Sequence, residues 1–291
     1  MIKRLITTLG LCAAALAVVP LTAAPASASG CQERVEIGWT AWGDAEVVSK
    51  LAAIVLGQGM KCEVELTLSD VAIQYRGVAQ GDLDAMLMSW QPETHAQYLR
   101  KYAGKLVDAG PLYEGARLGL AVPSYVDPSI RTVGDLARHA EMFGGRIVGI
   151  DPNAGLTKLT REAQDTYGLT GFELTEGTGP KMARTVSRAI AEQKPVVFTA
   201  WTPHWLFGAH ELRFLEDPEG VFGDAERVHA MVREDLKTDD PAAYTFFSNM
   251  SFEIDELQAL MADAHEQGHR KAIVAWIKAN MDTVRAWMSG R

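Results

Sequence analysis

Val35, Glu36, Ile37, Gly38, Trp39, Thr40, Ala41, Trp42, Gly43 and Asp44 open the stretch that decides the fold. Residues 35–39 are a short, β-branched apolar run. After a turn, apolar positions recur at helical spacing from 44 to 58. The couplet then repeats along the chain. Strands are predicted at 35–39, 63–68, 85–89, 119–123, 147–150 and 196–200, and helices at 44–58, 71–80, 94–102, 133–140, 156–167 and 181–192. Such alternation defines an α/β fold with a mainly parallel sheet. Residues 254–267 and 270–288 read as two helices with no strand between them, which pack back on an earlier part of the molecule.

Two further apolar, strand-like segments, 118–122 and 212–215, are flanked by turn residues and read as crossovers. They divide the chain into a first lobe, 29–118 with 212–291, and a second, 119–211. A ligand crevice in open α/β sheets lies beyond the carboxyl ends of the strands. In two such lobes those ends face each other across a cleft. A single large sheet is the alternative reading.

The N-terminus is of another kind. Lys3 and Arg4 precede an apolar run over 5–19, and small residues end in Ala26, Ser27, Ala28. This is the pattern of a secretory signal peptide cleaved after residue 28. The run is shorter than the ~20 residues of a spanning helix. Losing Lys3 and Arg4 takes the formal charge of the 291-residue chain from −9 to −11. So acidic a protein is a poor partner for nucleic acid or anionic membranes. Export leaves Cys31 and Cys62, just ahead of the first two predicted strands, to pair in an oxidising compartment. The competing reading takes Ala28, Ser29, Gly30, Cys31 as a loose lipobox, with Cys31 lipidated and Cys62 unpaired.

Of seven tryptophans, Trp39, Trp42, Trp90 and Trp201 fall where predicted strands end, whereas Trp276 and Trp287 lie within amphipathic helices. A quaternary ammonium has no N–H to donate. It is held by the electron-rich faces of aromatic rings, each worth about 0.5–2 kcal/mol. Several strand-end tryptophans suit that task, and tryptophans that simply pack near strand ends are the alternative.

Four segments in order carry a resemblance: Ile37 to Trp42; Met88, Ser89, Trp90, Gln91, Pro92, Glu93, Thr94, His95; Gly149, Ile150, Asp151, Pro152, Asn153, Ala154, Gly155, Leu156; and Ala200, Trp201, Thr202, Pro203, His204, Trp205. Together they resemble the glycine betaine-binding proteins of ABC importers, the OpuAC-like family. The resemblance implies a two-lobed periplasmic-binding-protein fold of type II kind. It implies a cation cage of Trp42, Trp90 and Trp201, with Trp39 as a fourth wall or a packing residue. It further implies that His95 and the backbone N–H groups of Gly155 and Leu156 hold a carboxylate, with His204, Trp205 and Asn153 in support. A predicted helix start at 155–156 fits an anion.

The related choline-binding proteins also resemble the chain, but have an acid at Ala41, a tyrosine at Leu118 and no histidine at His95. Betaine-type zwitterions are therefore expected above choline. The implied partners are a small-molecule ligand and an ABC permease, with the chain a periplasmic monomer needing no cofactor. A sensor subunit of the same fold is an alternative.

A rival reading comes from His265, Glu266, Gln267, Gly268, His269, which spells the zinc-hydrolase motif H-E-x-x-H. That motif needs both imidazoles on one helical face, and Gly268 is placed to end the helix between them. Gly177 to Lys181 is faintly phosphate-like, but Pro180 removes an amide a cradle would need. No nucleophile motif is present, and no enzyme activity is expected.

Overall fold

The computed structural model describes Cys31 and residues 34–289. Residues 1–28, where a signal peptide is predicted, with Cys12, lie outside the described residues. In chain order the elements are β1 (Val35–Trp39), α1 (Gly43–Ile54), β2 (Val64–Leu68), α2 (Val71–Gln80), β3 (Ala85–Gln91), α3 (Ala96–Lys101), β4 (Leu106–Pro123), β5 (Arg146–Val148), α4 (Gly155–Thr166), β6 (Glu173–Thr175), α5 (Gly179–Ala191), β7 (Val197–Thr202), α6 (Trp205–Ala209), β8 (Leu212–Phe214) and β9 (Glu226–Arg233). Five helices follow: α7 (Leu236–Asp239), α8 (Pro241–Asn249), α9 (Ile254–Gln267), α10 (His269–Ala279) and α11 (Met281–Ser289).

The two lobes repeat one plan. In the first, β1 pairs in parallel with β2 and β3, β9 adds antiparallel to β3, and β4 closes the row. In the second, β5 pairs in parallel with β6 and β7, β4 adds antiparallel to β7, and β8 follows. The 18-residue β4 therefore belongs to both. Its residues up to Ala116 pair with β9, Arg117 to Ala121 pair with β7, and Ala121 to Pro123 pair with β8. Local pattern explains each repeat: in α1, Val47, Val48, Leu51 and Ala52 bury one stripe against the sheet, as the i, i+3/i+4 spacing requires. Cys31 and Cys62 are joined by a disulfide that ties the start of the described chain to the approach to β2.

Three departures from the sequence reading have physical causes. The first half of β4 was not expected, because Pro111, Gly110 and Gly115 interrupt its pattern. They sit at register shifts, and Gly115 takes a positive φ of 79° that a bulge at the crossover requires. Of residues 212–215, read as the return crossover, Leu212 to Phe214 instead form β8, paired with the far end of β4. The chain rejoins the first lobe's sheet only at β9, whose Glu226, Arg227, His229 and Arg233 mask a buried Val228, Ala230, Met231, Val232 run. Finally, the helix expected over 270–288 is two helices. The backbone and side-chain amides of Asn280 both donate to the Trp276 carbonyl and end α10 there.

Candidate functional site

A narrow pocket lies between the lobes at the carboxyl ends of the strands. Three indoles wall it: Trp42, the residue preceding α1, Trp90, the penultimate residue of β3, and Trp201, the penultimate residue of β7. Each is no more than 5% exposed. Leu118 lines the pocket directly across the β4–β7 ladder from Trp201. Thr94, His95, Ile150, Ala154, Gly155 and Leu156 complete the lining.

His95 is fully buried, and its ring is held by its own loop. Its Nδ1 accepts the backbone N–H of Trp90 at 3.1 Å, with the Tyr75 hydroxyl 3.3 Å away. An accepting Nδ1 places the proton of the neutral ring on Nε2. Nε2 is buried and has no hydrogen-bond partner among the described residues. Burial lowers the pKa of His95 to about 3, so the ring is a neutral donor at physiological pH. Opposite it, α4 begins at Gly155 without a side-chain cap. First-turn N–H groups have no acceptor within their own helix and carry the positive end of its dipole. A side chain at Gly155 would run into Thr94, so only glycine lets this helix start come so near the β3 loop.

The lobes touch across the cleft. Trp42 Nε1 donates to Asp151 Oδ2 at 2.8 Å, and Trp201 Nε1 donates to Asp44 Oδ1 at 2.9 Å. Asp44 also accepts the Tyr113 hydroxyl at 2.7 Å. Burial raises the Asp44 and Asp151 pKa values, and these donated hydrogen bonds oppose the rise. Asn153 Nδ2 donates to Asp70 Oδ2 at 2.9 Å, also between lobes. A Cβ on Gly179 would lie 2.5 Å from the carbonyl oxygen of Ala41. Behind the Thr94 loop, Glu226 Oε1 accepts both the N–H and hydroxyl of Thr94.

Other residues singled out in the sequence fall elsewhere. Trp39 is not in the pocket lining. It ends β1, and Lys50 of α1 sits 5.5 Å above its ring. His204 packs edge-on against Trp201 at 4.5 Å, and its Nδ1 accepts the Leu206 N–H to cap α6. Trp205 stacks on His265 of α9 at 3.5 Å. Ala41 lines a second inter-lobe cavity, with Arg184, His204, His265 and His269, rather than the tryptophan pocket. His265 and His269 lie on separate helices, because Gly268 breaks the chain at φ 88°. Among the described residues no group of three or more His, Cys, Asp or Glu is arranged to hold a metal ion. Sequence reasoning gave no role to Asp44, Asp151, Tyr75, Tyr113, Thr94 or Glu226. An acid at a helix start reads as a dipole partner, so nothing in the sequence pairs Asp44 with a tryptophan 157 positions away.

This fold and pocket define a two-lobed solute-binding protein with its ligand cleft between the lobes. Residues 33–279 match the OpuAC family model, the substrate-binding domain of ABC-type glycine betaine transport systems, and the chain belongs to that family. It is 35% identical over 153 residues to the glycine betaine/carnitine transport binding protein of Listeria monocytogenes, a match spanning 52% of this chain and 51% of that protein. The lactococcal OpuAC in closed form with glycine betaine is 27% identical, with a TM-score of 0.82 over 89% of this chain and all of that one. An ABC-transporter choline-binding protein in complex with choline is 26% identical, with a TM-score of 0.80 over 88% and 92%. Among the described residues no helix is long and apolar enough to cross a membrane.

Proposed function

We propose that this protein captures a quaternary-ammonium zwitterion of the glycine betaine type outside the cytoplasm and delivers it to an ABC permease. Trp42, Trp90 and Trp201 enclose the cationic head. His95 Nε2–H and the Gly155 and Leu156 amides hold the carboxylate. The lobes are 34–116 with 226–289, and 117–225, and they close on the ligand by as much as it binds the closed form better.

One observation carries the reading: a buried, neutral imidazole with its Nε2–H unpartnered shares a pocket with three tryptophans. A buried donor left unpaired costs about 1–3 kcal/mol, and a ligand carboxylate removes that cost. Choline has no carboxylate to offer, and Leu118 supplies no polar group in its place. A micromolar Kd is about −8 kcal/mol, within reach of three cation–π contacts and charge-assisted hydrogen bonds after ordering costs.

Calorimetric titration of the mature protein with glycine betaine, proline betaine, carnitine, dimethylsulfoniopropionate, trimethylamine oxide and choline tests this. Carboxylated ligands bind and choline is at least tenfold weaker. Choline as the preferred ligand contradicts the proposal.

A further inference from the structure

Two pocket tryptophans are each fastened to the lobe they do not belong to. Trp42 follows β1 in the first lobe and donates its indole N–H to Asp151, which follows β5 in the second. Trp201, next to last in β7 of the second lobe, donates to Asp44, the second residue of α1 in the first. Neither carboxylate lines the pocket, so each stands behind a ring that does. The first lobe thus gives a donor and an acceptor from a three-residue segment, Trp42 to Asp44, and the second lobe returns one of each.

We infer that Asp44 and Asp151 are positioning residues that form a reciprocal latch between the lobes, aligning two pocket walls at the moment of closure and setting how long a bound molecule stays. Every atom of the latch belongs to the protein. Both bonds cross the same cleft and break in the same opening motion, so weakening either loosens the other. Each carboxyl oxygen accepts one indole N–H at 2.8–2.9 Å, and Asp44 is further fixed by the Tyr113 hydroxyl. An indole that must find its acceptor across the cleft is in register only when the lobes are shut. The latch therefore acts after capture, on release more than on association. That kinetic part rests on the quaternary-ammonium reading of the pocket; the coupling between the two bonds does not.

The test uses Asp151→Ala, with Asp151→Asn as the variant that keeps an oxygen acceptor, and Asp44→Asn as a second site that still accepts from Tyr113. Solvent exchange of the two indole N–H groups, read by nuclear magnetic resonance with saturating glycine betaine and again without ligand, reports the latch directly. Asp151→Ala speeds exchange at Trp201, whose own acceptor is untouched, at least threefold, and Asp151→Asn restores most of the protection. Asp44→Asn correspondingly speeds exchange at Trp42. With glycine betaine as probe, Asp151→Ala raises the dissociation rate about tenfold and leaves the association rate within twofold. Unchanged exchange at Trp201 in Asp151→Ala overturns the latch. So does a loss of affinity carried by association alone. Failure of the wild-type protein to bind any quaternary amine would overturn the proposed function, while the exchange measurement still decides the latch.

Discussion

β3 and β7 hold the same place in their lobes, and their ends are built alike up to one residue. Each carries a tryptophan at its penultimate position, then one residue, then a cis proline: Trp90, Gln91, Pro92 and Trp201, Thr202, Pro203. A histidine follows each, but at different spacing. His95, five residues after Trp90, turns back to accept that tryptophan's own N–H and leaves Nε2 buried and unpartnered at the pocket. His204, three residues after Trp201, caps α6, packs against the indole and borders the other inter-lobe cavity. Two extra residues separate an unpartnered, pocket-lining imidazole from a ring support. The first strands diverge as well: the residue before α1 is Trp42, a pocket wall, and α4 begins with Gly155, a bare amide. One plan used twice has been specialised by lobe, with two indoles and the imidazole on one side and one indole and the helix start on the other.

The largest effect should come from removing the feature the two strands share. Trp90→Ala and Trp201→Ala each weaken glycine betaine binding at least a hundredfold by calorimetry, about 2.7 kcal/mol, since a wall and its neighbours' packing go together. Similar affinity in either variant would show that the pocket is no cage. Next comes an approach that touches no ligand. Gly179→Ala places a methyl against the Ala41 carbonyl and holds the lobes apart, costing about tenfold in affinity with Trp fluorescence of the free protein unchanged. An unaltered affinity would mean that closure does not bring these backbones together.

The smallest effects separate the two histidines by pH. Burial lowers both pKa values to about 3, with a minor contribution from His265 at His204. Each folded-state pKa is below the unfolded value of about 6.5, so the unfolded chain takes up the proton first. The stability each neutral ring contributes is complete above pH 6.5 and is lost as pH falls toward 3, by up to about 1.4 kcal/mol per pH unit. His204→Gln should make the fall in unfolding free energy between pH 6 and pH 4 shallower by up to that slope. Glycine betaine affinity of the wild type should stay within twofold from pH 8 to pH 5, because His95 remains neutral throughout.

Much of this architecture was legible in the sequence, for reasons particular residues make plain. α1, α2, α9 and the strand-end tryptophans announce themselves through periodicity and position. β9 did not, because its exposed face carries Arg227 and its ends Glu226 and Arg233, hiding the apolar core of the strand. The first half of β4 was hidden by the glycines and proline that let one strand serve two lobes. In the site, the lining tryptophans, His95 and the α4 start were named from pattern and resemblance. Trp39, which the sequence leaves as a fourth wall or a packing residue, lies under Lys50 and is not among the pocket-lining residues. Asp44 and Asp151 stayed invisible because their partners lie 157 and 109 positions away, a pairing only the closed lobes create.

In the proposed site one lobe's histidine and the other's helix start read a carboxylate while the indoles read a cation. Titrating glycine betaine and choline against wild type and His95→Ala tests it most directly. His95→Ala is expected to weaken glycine betaine about 10- to 100-fold, the loss of one charge-assisted hydrogen bond of about 1.5–3 kcal/mol, and to leave choline within about threefold. Equal losses for the two ligands would contradict it.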